Sequence, residues 1–390
     1  MTAAEQAEGL FQELTGTEPA GRWSSPGRVN LIGEHTDYND GFVFPFAIDF
    51  RTVVALGLRS DGRIRVVSTF DPVPVEIALA DLDAFFPARR DEIVEWARYP
   101  LGVAWALLDG RDAAAFTGVD IAIASDVPVG AGLSSSAAIE GATASALNDV
   151  WDLGLDRIAL AQAGRRAENE AVGAPTGIMD QMASMRGQAD AGIFLDCRSF
   201  EAQVIELGFT AAGLDILVID TRVSHAHSTG GYGERRASCE QGAAIMGVPA
   251  LRDLSVGDLA RAEELMDDVT FRRVRHVVTE DQRVLDTVRT LREEGPRAIG
   301  ALLDASHVSM RDDFEISVPE LDLAVETART AGAIGARMTG GGFGGSAIAL
   351  VEHAQVDAVR AAVETAFADA GFTAPNIFTV HPSEGARRDA

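Results

Sequence analysis

Residues 119–124 form a β-like run and residues 137–147 a run of small residues, with Pro128-Val129-Gly130-Ala131-Gly132-Leu133-Ser134-Ser135-Ser136 between them. A β-like stretch, a glycine- and serine-rich turn and an alanine-rich helix leave little choice of local structure. Serine hydroxyls accept from the orphan N–H groups at a helix start. Those N–H groups and the helix dipole together make an anion site. Glycines let bare backbone approach phosphate oxygens, and a serine hydroxyl can ligate a phosphate-bound Mg²⁺. The turn does not follow G-x-x-x-x-G-K-[ST], so the dipole and a metal must supply what lysine supplies there. Taken alone, the turn equally fits a plain capped helix start.

The rest of the chain alternates in the same way. Residues 28–32, 42–50, 52–58, 64–68 and 119–124 are β-like, and Asp156 caps a helix running to about residue 171. The break Gly173-Ala174-Pro175-Thr176-Gly177 ends that helix. Beyond residue 200 the pattern restarts with a strand at 214–220, a polar loop over 221–233 and helical segments through 330. Helix, strand, glycine loop, strand, helix and strand follow. Val356, Val359, Val363 and Phe367 give the last helix one apolar face. This order predicts an α+β protein in two domains, 1–200 and 201–390, the second an antiparallel sheet covered on one side. No internal repeat or low-complexity linker is present.

Three segments carry chemistry. In Gly27-Arg28-Val29-Asn30-Leu31-Ile32-Gly33-Glu34-His35-Thr36-Asp37-Tyr38-Asn39-Asp40-Gly41, Glu34 and Asp37 are acceptor-only groups flanking a histidine. Paired carboxylates suit the donating hydroxyls of a sugar, and Arg28 can stabilise charge on a transferring phosphoryl group. The segment alone also admits an ordinary polar turn or a metal site built from Glu34, His35 and Asp37. Ser136 with Glu168 would meet the modest protein-ligand demand of Mg²⁺; Glu168 also fits a solvated helix face. Asp180, among Ile178, Met179 and Met182, needs a partner, and Arg28 is the candidate. A carboxylate beside a sugar hydroxyl can act as base; a structural ion pair or helix cap is the alternative. In Arg337-Met338-Thr339-Gly340-Gly341-Gly342-Phe343-Gly344-Gly345-Ser346, five glycines in six residues bring bare backbone close to a ligand, or make a flexible hairpin.

Taken in this order, the segments resemble the GHMP small-molecule kinases. PVGAGLSSSAA is similar to that family's phosphate-binding motif and MTGGGFGGSAIAL to its C-terminal glycine loop. GRVNLIGEHTDYNDGFVFPFAID and GIMDQ resemble the galactokinase branch, and the matches span residues 27–346. The resemblance implies a ribosomal-S5-like N-terminal domain, a ferredoxin-like C-terminal domain and an active site between them. The implied reaction is ATP-dependent phosphorylation of D-galactose at its C1 hydroxyl, the first committed step of galactose use by the Leloir pathway. Asp180 would be the catalytic base and Arg28 the transition-state stabiliser. Glu34, His35, Thr36, Asp37, Asp180 and Tyr232 would contact the sugar. Gly130, Ala131, Gly132, Leu133, Ser134, Ser135 and Ser136 would cradle ATP, with Ser68 lining the nucleotide site. Ser136 and Glu168 would hold Mg²⁺. Phe46 departs from the family's smaller residue and is expected to reshape the sugar pocket.

Other classes are disfavoured. All 33 basic residues are arginine, which excludes Schiff-base chemistry and the lysines of P-loop and protein kinases. Codon bias toward arginine is the simplest source. A net charge of −26 argues against a nucleic-acid or anionic-membrane partner. The two cysteines cannot build a disulfide framework, and reduced thiols fit a cytoplasmic protein. The N-terminus has no signal-peptide pattern, and no apolar run approaches the ~20 residues of a membrane span. His225 and His227 form an H-x-H pair without an evident third ligand and are assigned to a loop near Tyr232. A monomer is expected from the family.

Overall fold

A computed structural model describes residues 1–223 and 228–389 of the chain. Its first half is organised on a six-stranded sheet. The strand order is Arg387–Arg388 (β13), Gly21–Asn30 (β1), Pro45–Arg59 (β3), Gly118–Ser125 (β6), Arg63–Ser68 (β4) and Val75–Ala78 (β5). Neighbours run antiparallel except β4 and β6, which are parallel. Side chains alternate across the sheet as the pleat demands. Val54, Leu56, Val119, Ile121 and Ile123 enter the main core. Val53, Ala55, Ala122 and Ala124 face Ala3, Ala7 and Phe11 of the helix Ala3–Thr15. That helix opens on a Thr2–Glu5 capping box and closes on Gly16 in the left-handed conformation.

Two sequence-derived runs, 42–50 and 52–58, prove to be a short strand Phe42–Val43 (β2) and one long strand, β3. Strand β1 pairs with β3 over residues 45–47 and 51–56 and β6 pairs with it over 52–59, which joins the two runs into one strand. Strand β2 pairs with Ala191–Asp196 (β7), which pairs with Ala202–Glu206 (β8).

The second half is organised on an antiparallel sheet. Its order is Gly335–Thr339 (β10), Ser346–Glu352 (β11), Leu214–Asp220 (β9) and Asn376–Val380 (β12). Leu217, Ile219, Ala347 and Ala349 share a core with Val359, Val363 and Phe367 of the helix Val356–Ala370. The intervening Ile216, Val218, Ile348 and Leu350 pack against Val29, Leu31, Phe44 and Phe46 of the first half. The sheet is therefore covered on both faces, not on one. Its strands are correspondingly near-continuous apolar runs instead of alternating ones. Phe46 lies wholly inside this shared core and does not reach the pocket described below.

Strand β8 stays with the first half, and the end of the chain returns to it: Ser383 N–H donates to Ala47 O at 2.8 Å and β13 joins β1. The expected loop over 221–233 also differs. The helix Ser228–Met246 begins before residue 233, so Tyr232 projects from a helix turn. His225 and His227 lie outside the described residues.

Candidate active site

The glycine-serine turn leads into the helix Ser135–Val150. Ser134 stands at its N-cap with φ 57°, flanked by Gly130 and Gly132, also at positive φ. This backbone turns the Ser134 hydroxyl away from its own helix. It makes no cap bond and donates instead to Asp180 Oδ2 at 2.5 Å. The serine-cap expectation fails here for that reason, and the N–H groups of the first turn are not taken by this side chain.

Asp180 opens the helix Met179–Arg186. Arg28 grips it bidentately, Nε to Oδ1 and Nη2 to Oδ2, both at 2.8 Å. Strand β1 shifts register between Pro26 and Arg28, which re-aims the arginine. Its N–H donates to Leu133 O at 3.0 Å and its Nη1 to Gly132 O at 2.6 Å. Arg28 thus ties the turn to the carboxylate, as the sequence suggested.

Glu34 is buried, yet lines the cavity. Its Oε2 accepts from Asn30 Nδ2 at 2.9 Å and its Oε1 from the Gly340 N–H at 2.8 Å. Burial pushes its pKa up, opposed by Arg337 and Arg28. His35 rests between Tyr232 and Phe314, ring centroids 4.9 Å away on each side. Burial drives its pKa down to about 3. The neutral ring therefore has one N–H, assigned to Nε2 facing Gly341 O at 3.1 Å, while Nδ1 accepts from the Tyr38 hydroxyl at 2.7 Å. Thr36 turns inward, its hydroxyl directed at Phe42 O (2.6 Å) and Gly33 O (2.9 Å). Asp37 is pushed up to about 6, first by burial and then by repulsion from Asp180. The glycine loop is a clasp: Gly340 and Gly341 hold Glu34 and His35, and Ser346 Oγ donates to Ala131 O at 2.6 Å. A side chain at Gly340 would put its Cβ 2.9 Å from Gly132 O, so two bare backbones must meet there.

Arg28, Glu34, His35, Asp37, Asp180 and Tyr232 line one cavity of about 250 Å³, enough for a small polar molecule. Thr36 stands behind it. Ser68 ends β4 beside Ile123 of β6, the strand that feeds the turn, and not at the cavity. Glu168 belongs to a π-helical turn, Ala167–Val172. It accepts from Thr176 Oγ1 at 2.7 Å and Gln181 Nε2 at 2.8 Å, and the Ser136 hydroxyl bonds it as well. Burial and the nearby Asp180 raise its pKa. Glu140, one helical turn beyond Ser136, is raised in the same way by burial and by Glu168. Local negative charge in excess of Arg28 is what a divalent cation relieves, so Ser136 and Glu168 fit Mg²⁺. No group of three or more His, Cys, Asp or Glu stands ready to hold a metal among the described residues. Mg²⁺ needs only one or two protein oxygens beside phosphate and water.

Sequence reasoning missed Ser134 as a partner of Asp180, Gln181 and Thr176 as holders of Glu168, and the 174–177 wall of the cavity. The Gly-Ala-Pro-Thr-Gly break was visible, but not what it packs against.

The sequence matches the galactokinase galactose-binding signature over residues 9–58. It matches the GHMP kinase N-terminal domain over 98–188 and the C-terminal domain over 287–369. It is 56% identical over 381 residues to a galactokinase of Streptomyces coelicolor, covering 97% of this chain and 96% of that one. The crystal structure of Lactococcus lactis galactokinase complexed with galactose superposes with a TM-score of 0.91 at 32% identity, covering 99% of this chain and 100% of that one. Methanococcus jannaschii mevalonate kinase shares the fold at a TM-score of 0.67 and 18% identity, over 93% of this chain and 98% of that one. The chain belongs to the galactokinase family of GHMP kinases.

Proposed function

We propose that the chain transfers the γ-phosphoryl group of ATP to the C1 hydroxyl of D-galactose, giving galactose 1-phosphate and ADP. The observation that carries this reading is one cavity bounded by acceptor carboxylates and by the Arg28–Asp180 pair, which bonds directly to the turn at a helix N-terminus. Phosphoryl transfer demands positioning and charge neutralisation more than covalent chemistry. Glu34 and Asp37 accept hydrogen bonds from sugar hydroxyls, and Tyr232 closes the wall. His35, with both ring nitrogens engaged, supports that wall as a neutral ring. Asp180 orients the C1 hydroxyl and takes its proton as the new O–P bond forms. Arg28 holds Asp180 and neutralises charge on the transferring group. Gly130–Ser136 and the first turn of the helix meet the phosphates, with Ser68 toward the nucleotide. Ser136 and Glu168 would hold Mg²⁺, which neutralises phosphate charge when bound.

A cytoplasmic monomer is part of the same proposal, its two halves dividing close to residue 200 except that β8 and β13 belong to the first. Both cysteines are buried and unpaired, and no helix among the described residues is long and apolar enough to cross a membrane.

ADP release measured with D-galactose, N-acetylgalactosamine, L-arabinose, glucose and mevalonate tests the reading. Turnover confined to galactose is the expected result. Turnover on another sugar reassigns the pocket, and galactose binding without turnover removes the enzymatic reading.

Two further outcomes are expected. A Cβ on Gly177 would stand 1.8 Å from Asp37 Oδ2, an impossible contact. Gly177→Ala must therefore displace Asp37, raising KM for galactose by roughly 10-fold or more as a hydrogen bond to a charged group is lost. An unchanged KM refutes the role of Asp37. Asp37 with its pKa near 6 gains a proton as pH falls through that value and loses acceptor capacity. KM for galactose should rise toward low pH, by at most roughly tenfold per unit, and stay flat above pH 7. Steady-state rates from pH 5 to 8 check this, and Asp37→Asn should flatten the profile.

A further inference from the structure

Behind the sugar turn lies a buried polar cluster that the transfer itself does not use. The helix Asp268–Glu294 presents three side chains to the backbone of residues 33–42. His276 Nε2 lies 3.1 Å from Glu34 O, Glu280 Oε1 accepts from Gly33 N–H at 3.0 Å, and Asp281 Oδ1 accepts from Phe42 N–H at 2.8 Å. Arg337, on β10, is wholly buried between two carboxylates. Its Nη2 is 3.5 Å from Glu34 Oε1 and 3.8 Å from Glu280 Oε1, and its Nη1 donates to Asn30 O at 3.0 Å. Glu280 is fixed in turn by Ser306 Oγ at 2.6 Å and Arg283 Nε at 2.7 Å.

Desolvating a guanidinium is costly, and a space that needed only filling would take an apolar side chain at less cost. The arrangement acquires a purpose through Glu34, which stands between this cluster and the cavity. A hydroxyl-binding acceptor must keep its charge and its aim while nearly excluded from water. Asn30, Gly340 and Thr339 supply its hydrogen bonds, but none supplies charge. Arg337 is its ion-pair partner in the structure, and burial of Glu34 is opposed first by Arg337 and then by Arg28. Asp37 and Glu280 are the acidic groups facing the same region, and neutral His276 meets Glu34 at its backbone carbonyl, its other nitrogen held by the Ser309 hydroxyl. We propose that Arg337 is a positioning residue for sugar recognition: anchored by Glu280, it keeps Glu34 aimed into the cavity as a charged acceptor. The proposal rests on the reading of Glu34 as a galactose contact.

The test compares wild type, Arg337→Met, Arg337→Lys, Glu280→Gln and Glu34→Gln in the full chain. Galactose titration calorimetry and steady-state KM and kcat for both substrates are the measurements. Arg337→Met should raise Kd and KM for galactose by roughly 10–100-fold, the loss of a buried charged contact, with KM for ATP unchanged and kcat changed far less. Arg337→Lys should recover part of the affinity, since it keeps the charge and loses the fork. Glu280→Gln should raise KM by a smaller factor, and it carries the test if Arg337→Met does not fold. Wild-type galactose affinity in Arg337→Met or, failing that, in Glu280→Gln overturns the proposal. So does a fall in kcat at unchanged KM, which marks a lost transition-state contact or a smaller folded fraction and no part in sugar binding. If Glu34→Gln itself binds galactose as tightly as wild type, the reading of Glu34 falls, and the proposal with it.

Discussion

Asp180→Asn should lower kcat by roughly 10²–10⁴, the usual contribution of a positioned general base. The substitution keeps the shape and removes the basic oxygen. It also places an amide N–H where the carboxylate now receives three donors, Arg28 Nε, Arg28 Nη2 and Ser134 Oγ. One of these contacts becomes donor against donor, so Arg28 loses part of its grip. Glu34 and Asp37 are untouched, and galactose should still bind within about tenfold of wild-type affinity, at the scale of one hydrogen bond. Single-turnover rates with calorimetric galactose binding check this. A kcat within tenfold of wild type would sink the role assigned to Asp180.

Arg28→Met should be nearly as damaging for a different reason. The guanidinium makes two bonds to Asp180 and one to Gly132 O, and its side chain is only 5% exposed. Its loss removes fixed positive charge from the transfer point, worth roughly 10²–10³ in kcat. It also strands a carboxylate and a carbonyl. Asp180, 23% exposed, is partly rescued by water and by Ser134, so the stability loss should be about 1–3 kcal/mol. Because both residues act through one contact, Asp180→Asn/Arg28→Met should lose much less than the product of the two single losses. Chemical denaturation gives the stability and a double-mutant cycle the coupling. Multiplicative rate losses would show two independent roles.

How much of this was legible in the sequence follows from which interactions are local. The strand, Gly-Ser turn and helix over 118–150 are encoded within a few residues by hydrophobic pattern and turn residues, and appear where expected even though Ser134 makes no cap bond. The same holds for the helix Val356–Ala370 and the β10–glycine–β11 hairpin, whose periodicities need no distant partner. The Arg28–Asp180 pairing could be anticipated because a carboxylate among apolar neighbours must find a cation. The length of β3, the second covered face of the C-terminal sheet and the burial of Phe46 could not. Each depends on what packs against the segment from far along the chain.

The candidate site divides along the same line. The sequence supplied the candidate groups: the acceptors Glu34 and Asp37, the pair Arg28 and Asp180, and the turn ending at Ser136, of which the first four line one cavity. Tertiary structure alone decided how those groups are held. Ser134 turned from helix cap to Asp180 donor because a left-handed backbone redirects its hydroxyl. Burial makes His35 a neutral ring, and Tyr38 and Gly341 engage both its nitrogens. Arg337 met Glu34 only because two sheets from opposite halves share one core. Residue type fixes what a group can donate or accept. Burial and distant charge, set by the packed fold, fix whether it remains charged and where it points.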